Sequence, residues 1–194
     1  MKSKITSEIE KSIEIKKALL KDDNLLSKIQ ILATRCIQAL DKGAKIIFYG
    51  NGGSFADAQH LSAEFTSRFM FDRPALASIA LGTNSSAMSA IGNDYGYDKI
   101  FSREIESIAK SEDILIAITT SGNSKNVLNA IDCAKNMGLE TFIFTGKSGG
   151  KVSISEYTIN VPSEDTARIQ ECHILIGHIL CGIVEDNIFS NLKK

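Results

Sequence analysis

The sequence lacks an excess of charge of either sign: 22 lysines and arginines stand against 23 acids, for a net of -1. That removes the general reason to expect nucleic acid or an anionic membrane as a partner. It also lacks an uninterrupted apolar run of the length that spans a bilayer. The opening Met1-Lys2-Ser3-Lys4 leads into alternating charges rather than the apolar core of a signal peptide. The four cysteines, Cys36, Cys133, Cys172 and Cys181, form no C-x-x-C pair. They read as reduced thiols in a cytoplasmic protein rather than as disulfides. Linkers, repeats and low-complexity stretches are missing too. The 194 residues, 43% of them hydrophobic, are expected to form one domain over 1–194 with a sizeable core.

What is present is alternation. Two amphipathic helices are expected over residues 3 to 42, with Asp22-Asp23-Asn24 between them and Lys42-Gly43 closing the second. Their apolar faces have little to pack on within one small sheet, so part of this N-terminal arm is expected to contribute an oligomer contact, with a helix folded over its own domain as the alternative. Strands follow at Lys45–Tyr49, Ala75–Leu81, Ile114–Ile118, Thr141–Thr145 and Tyr157–Val161. Helices are expected from about Phe55 to Met70, Ser85 to Ile91, Lys99 to Ala109, Ser124 to Met137 and Asp165 to Ile188. This order predicts an α/β three-layer sandwich with a parallel sheet of about five strands.

Two turns in this pattern carry chemistry. Ile114 to Ile118 is apolar and ends in Thr119-Thr120-Ser121-Gly122-Asn123-Ser124, where a helix begins. Hydroxyls, outward-facing amides and the positive end of a helix dipole make an anion site, most often for phosphate. Such a turn also serves merely to cap a helix. A second copy of the device tips the balance: Gly50-Asn51-Gly52-Gly53-Ser54 follows the first strand and opens a helix. It lacks both the dinucleotide spacing G-x-G-x-x-G and a Walker lysine. In a parallel sheet both turns fall at the carboxyl edge, where ligands bind. A small phosphorylated molecule with hydroxyls along it, such as a sugar phosphate, suits them.

Groups able to act on such a ligand lie on two helices. His60 and Glu64 are four apart and share a face. Gln170 and His178 are eight apart, about two turns, and also share a side. His173 falls on another flank of that helix and reads as a packing or hydrogen-bonding residue, and Arg68 as one end of an ordinary salt bridge.

The segments G-N-G-G-S-F-A-D-A-Q-H-L-S-A-E, G-N-D-Y-G, T-S-G-N-S and R-I-Q-E-C-H-I-L-I-G-H together resemble the sugar isomerase (SIS) family, specifically the bacterial sedoheptulose 7-phosphate (phosphoheptose) isomerases, over essentially the whole chain. The resemblance implies the SIS-type fold and a zinc ion, one per subunit, held by His60, Glu64, Gln170 and His178. It implies substrate contacts at Asn51, Gly52, Gly53, Ser54, Glu64, Asn93, Asp94, Thr119, Thr120, Ser121, Ser124 and Gln170. It further implies a homotetramer with sites between subunits, no nucleic-acid or membrane partner, and the first step of nucleotide-activated heptose synthesis for lipopolysaccharide or capsule. Ketose-to-aldose conversion needs a proton moved between C1 and C2 through an enediol, with Glu64 as base and His178 as acid/base partner. The rival expectation is a non-catalytic binding protein of the same fold, of the replication initiator-associating type. Such a protein has no need to keep the His60, Glu64, Gln170, His178 set.

Overall fold

The computed structural model describes residues 1–152 and 157–192. Five parallel strands, β1 (Ile46–Gly50), β2 (Ser78–Ala80), β3 (Ile114–Ile118), β4 (Glu140–Thr145) and β5 (Thr158–Asn160), lie in the order β2-β1-β3-β4-β5. The helices are α1 (Lys2–Leu20), α2 (Asp23–Asp41), α3 (Gly53–Thr66), α4 (Ser85–Asp94), α5 (Ile100–Ile108), α6 (Lys125–Asn136) and α7 (Thr166–Ile188). The three-layer parallel α/β architecture expected from the alternation is therefore the one observed.

The pleat sorts the core. Successive strand residues point to opposite faces, so Phe48, Ile116, Ile118, Phe142 and Phe144 meet α2, α3 and α7 on one side. Ile47, Tyr49, Leu115, Ala117 and Ile143 meet α5 and α6 on the other. Both faces are covered, which is why β1 and β3 are buried at every position. Each such Ile or Phe contributes about 1.5–3 kcal/mol on leaving water.

Strand order reverses between β1 and β3: the chain leaves β1 for β2 on one side and resumes at β3 on the other. This is the topological switch point of a doubly wound sheet, where a crevice opens at the carboxyl ends. Gly50 pairs with Ile118 in register, so the turns that follow these residues are neighbours.

The N-terminal boundary falls where expected, because Asp22 accepts from the Leu25 amide at 3.0 Å and caps α2. Helix α1 lies on α7, tied by Arg168 to Glu8 at 3.0 Å and by the Ser12 hydroxyl, which donates to Glu171 at 2.7 Å. Ile5, Ile9 and Ile13, four apart on α1, remain exposed. Helix α7 alone among the described helices has the length and apolar character to cross a membrane. Its apolar residues Ile169, Ile176, Leu180 and Val184 are instead buried in the core. The cysteines are free, and burial pushes the Cys36 and Cys181 thiols up.

Most boundaries shift by a residue at most, and three elements differ by more. Helix α3 stops at Thr66, four residues before Met70, because Arg73 takes its last carbonyls. Helix α4 runs on through Gly92 to Asp94, so Asn93 and Asp94 sit on its last turn rather than in a loop. Strand β2 pairs over only three residues, after Pro74 has set the chain on its way.

Candidate active site

The turn after β3 is built by its own hydroxyls and by a close backbone approach. The Thr119 hydroxyl accepts from the Gly122 amide at 3.2 Å, and Ser121 Oγ from the Asn123 amide at 3.2 Å. Gly122 has φ 64 and lies against Gly149, so closely that a Cβ would overlap the Gly149 carbonyl. Only glycine satisfies both demands. Ser124 is the N-cap of α6 but spends no side-chain bond on capping, which leaves its hydroxyl for a ligand at the helix N-terminus.

The turn after β1 is fastened to this one. Asn51 and Asn126 exchange amide hydrogen bonds at 2.8 Å in both directions, and the Tyr97 hydroxyl donates to Asn51 Oδ1 at 3.2 Å. The Asn51 side chain is thus turned to Asn126, and Asn51, Tyr97, Ser124 and Lys125 line an open cavity of about 570 Å³. Ser54 is buried beside Gly50. Gly53 carries the Gln170 side chain directly over its Cα, where any Cβ would collide. Asn93 and Asp94 bond to each other at 2.8 Å and line a separate open depression with Ser85, Ser86 and Ser89.

His60, Glu64 and His178 converge. His60 Nε2 lies 3.0 Å from His178 Nε2 and 3.1 Å from Glu64 Oε1. One ligating atom from each residue lies within 4.8 Å of the others. Gly177 makes this possible, since α3 and α7 approach so closely that a Cβ at Gly177 would run into the Leu61 methyls. His60 and His178 are the next residues along the two helices. The Phe69 ring stacks on His178 at 5.5 Å and 27°. Burial, and then the neighbouring His60 imidazole, hold His178 below the usual histidine value, with Glu64 pulling the other way. Two ring nitrogens and a carboxylate oxygen this close are a donor set for zinc or a similar divalent cation, so the residues fit the metal.

The Gln170 side chain packs at Gly53, at the first turn of α3, eight residues before His178 on α7. His60, Glu64 and His178 are thus brought together, and Gln170 lies beside the glycine turn that opens α3. His173 is fully buried on the flank expected for it, with Nε2–H donating to the Thr145 carbonyl at 3.2 Å. Arg68 is exposed and makes no ion pair among the described residues, so the salt bridge expected there is not formed. Sequence reasoning passed over Asn126, Phe69 and Gly177. Only Gly177 left a signal, a glycine in mid-helix, which marks close packing.

This doubly wound sheet, with glycine- and hydroxyl-rich turns at its switch point and a His–Glu–His cluster beside them, belongs to an SIS-domain protein: the SIS domain family model matches residues 8–146. Within that family the chain belongs to the phosphoheptose isomerases. It is 49% identical to the phosphoheptose isomerase of Aneurinibacillus thermoaerophilus over 192 residues, covering 98% of this chain and 97% of that protein. The structure of a phosphoheptose isomerase from Francisella tularensis superposes with a TM-score of 0.90 at 35% identity, covering 95% of this chain and 97% of that one. That from Neisseria gonorrhoeae gives 0.87 at 38%, covering 95% and 98%.

Proposed function

We propose that this protein is an aldose–ketose isomerase that converts D-sedoheptulose 7-phosphate to D-glycero-D-manno-heptose 7-phosphate. The observation that carries this reading is the meeting of Glu64, His60 and His178, drawn from helices more than a hundred residues apart, in a chain so similar to phosphoheptose isomerases. A pure binding protein has no use for it. The two turns at the sheet edge take the phosphate and the near hydroxyls, with Ser121, Ser124, Thr120 and the amides of Gly52 and Gly53 as donors. Thr119 and Asn51 shape the turns from behind.

The Glu64 carboxylate removes a proton from C1 while His178 gives one to the oxygen on C2, forming the enediol. His178 then takes the proton from the C1 hydroxyl as Glu64 returns its own to C2, leaving the aldose. With its pKa held down, His178 is neutral near pH 7 and serves as donor at one nitrogen or acceptor at the other. His60, Glu64 and His178 would hold zinc, which when bound polarises the sugar's carbonyl oxygen.

Gln170 packs against Gly53 at the N-terminal turn of α3, and the Ile5, Ile9 and Ile13 stripe is exposed. Both observations support a homotetramer in which Gln170 of one copy faces the cluster of another. The reaction would stand first in the synthesis of nucleotide-activated heptose, in the cytoplasm, for lipopolysaccharide or capsule. The test is a product assay with purified protein and sedoheptulose 7-phosphate. Absence of an aldose product from folded, zinc-supplemented protein would refute the reading.

A further inference from the structure

Behind the cluster lies a second constellation, and it is buried. Arg73 and Glu185 pair at 2.9 Å with both side chains 1% exposed. Arg73 sits in the loop between α3 and β2, and Glu185 lies on α7, seven residues beyond His178. Burying two charges is costly and is offset only when every donor and acceptor is used. Here each guanidinium nitrogen and each carboxylate oxygen has a partner, and the partners are informative.

The last turn of a helix leaves its carbonyls without partners. At the end of α3, Arg73 supplies them: Nη2 donates to the Glu64 carbonyl at 2.7 Å and Nη1 to the Phe65 carbonyl at 2.7 Å. Nη1 also reaches the Ser67 and Pro74 carbonyls at 3.1 and 3.0 Å. The guanidinium therefore grips the backbone of the residue whose carboxylate faces His60. Glu185 holds the neighbouring loop, its two oxygens accepting from the Phe69 amide at 2.8 Å and the Met70 amide at 2.7 Å. Phe69 is the residue whose ring stacks on His178.

We infer that Arg73 and Glu185 are positioning residues for the isomerisation, fixing Glu64 through its carbonyl and His178 through the ring of Phe69. The inference rests on the acid–base roles given above to Glu64 and His178. Neither residue touches the substrate. Their effect is to lock α3 and α7 in one relative height, so that the Glu64 carboxylate and the His178 imidazole keep a reacting atom each within 4.8 Å of the other. A misplacement of about an ångström costs an enzyme up to about a hundredfold in rate. The sugar phosphate's anion is held by other loops, so its binding is not tied to this pair.

Three variants of the full-length chain test this. Arg73→Lys keeps a cation against Glu185 but offers one ammonium in place of a planar fork that serves four carbonyls and a carboxylate. Phe69→Leu keeps the amide that Glu185 holds and removes the ring on His178. Arg73→Met with Glu185→Met replaces the charges by apolar side chains of similar bulk, an exchange that buried pairs often tolerate. Expected in each folded variant is a fall in kcat of about tenfold to a hundredfold, with KM for sedoheptulose 7-phosphate little changed. A merely structural pair would lower the melting temperature and leave kcat per folded subunit intact. Parental kcat in Phe69→Leu, or in either folded Arg73 variant, overturns the inference. Should the Arg73 variants not fold, Phe69→Leu decides alone. Glu64→Gln is measured alongside: a dead Glu64→Gln beside fully active tether variants removes this inference only. A fully active Glu64→Gln removes the acid–base reading and this inference with it.

Discussion

His173 gives a prediction whose size follows from its surroundings. Its ring is fully buried, its Nε2–H is committed to the Thr145 carbonyl, and Nδ1 has no partner. Burial lowers its pKa from 6.5 to about 4, with the bond to Thr145 pulling slightly the other way. Between those two values the unfolded chain binds a proton that the folded chain refuses. Stability therefore falls as pH falls through this window, by about 1.4 kcal/mol per pH unit for this one group, reaching about 3 kcal/mol near pH 4. At pH 5 the deficit is about 2 kcal/mol. The comparison that isolates it is His173→Gln, which keeps an amide donor for Thr145 but never takes up a proton. Urea unfolding at pH 7, 6 and 5 and fixed protein concentration reads the difference. Whatever the starting gap between the two proteins, the parent should lose about 1 M more in midpoint than the variant on going from pH 7 to pH 5. All other titrating groups are common to both and cancel. Parallel pH dependences, or a folded-state His173 resonance titrating near 6.5, would refute the argument.

Other perturbations separate the two halves of the site. Replacing Ser121 and Ser124 by alanine should weaken every phosphorylated ligand while leaving unphosphorylated sugars alone, as calorimetric titration would show; equal loss for both means the turn is structural. His178→Ala should lower zinc content and turnover together, whereas His173→Gln should lower neither; metal analysis of protein purified without chelator checks this. Gly177→Ala forces a methyl into Leu61 and should cost about 1–3 kcal/mol. It should also reduce turnover by parting His60 from His178, and Leu61→Ala should restore part of both. A fully stable and active Gly177→Ala would contradict the close approach of α3 and α7.

Much of this was legible in the sequence because it is local. The Asp22 cap, the β-branched strands and the turns with their hydroxyls each announce themselves within a few residues. The end of α3 did not, because what ends it is Arg73 anchored by Glu185, more than a hundred residues away. The same reason hid Asn126, an ordinary helix residue until its partner across the switch point is known. His60 and Glu64 were legible as a pair on one face. That His178 would join them depends on where along α7 the helix crosses α3. The Gly177–Leu61 contact and the Arg73–Glu185 pair set that height, and periodicity says nothing about either. The salt bridge expected for Arg68 is not formed because α3 ends at Thr66, which takes Arg68 off the helical face it would share with Glu64.

The clasp between Asn51 and Asn126 separates two tasks that most sites share. It fixes the two glycine- and hydroxyl-rich turns to each other, without help from His60, Glu64 or His178. If these turns hold the phosphate as proposed, mutation of the helical cluster leaves the grip on a sugar phosphate standing. A gene duplicate free to lose its chemistry would decay first into a receptor for its old substrate, not into an unfolded chain. On this scaffold the passage from enzyme to sensor is short, and the return requires only two helices to be refurnished.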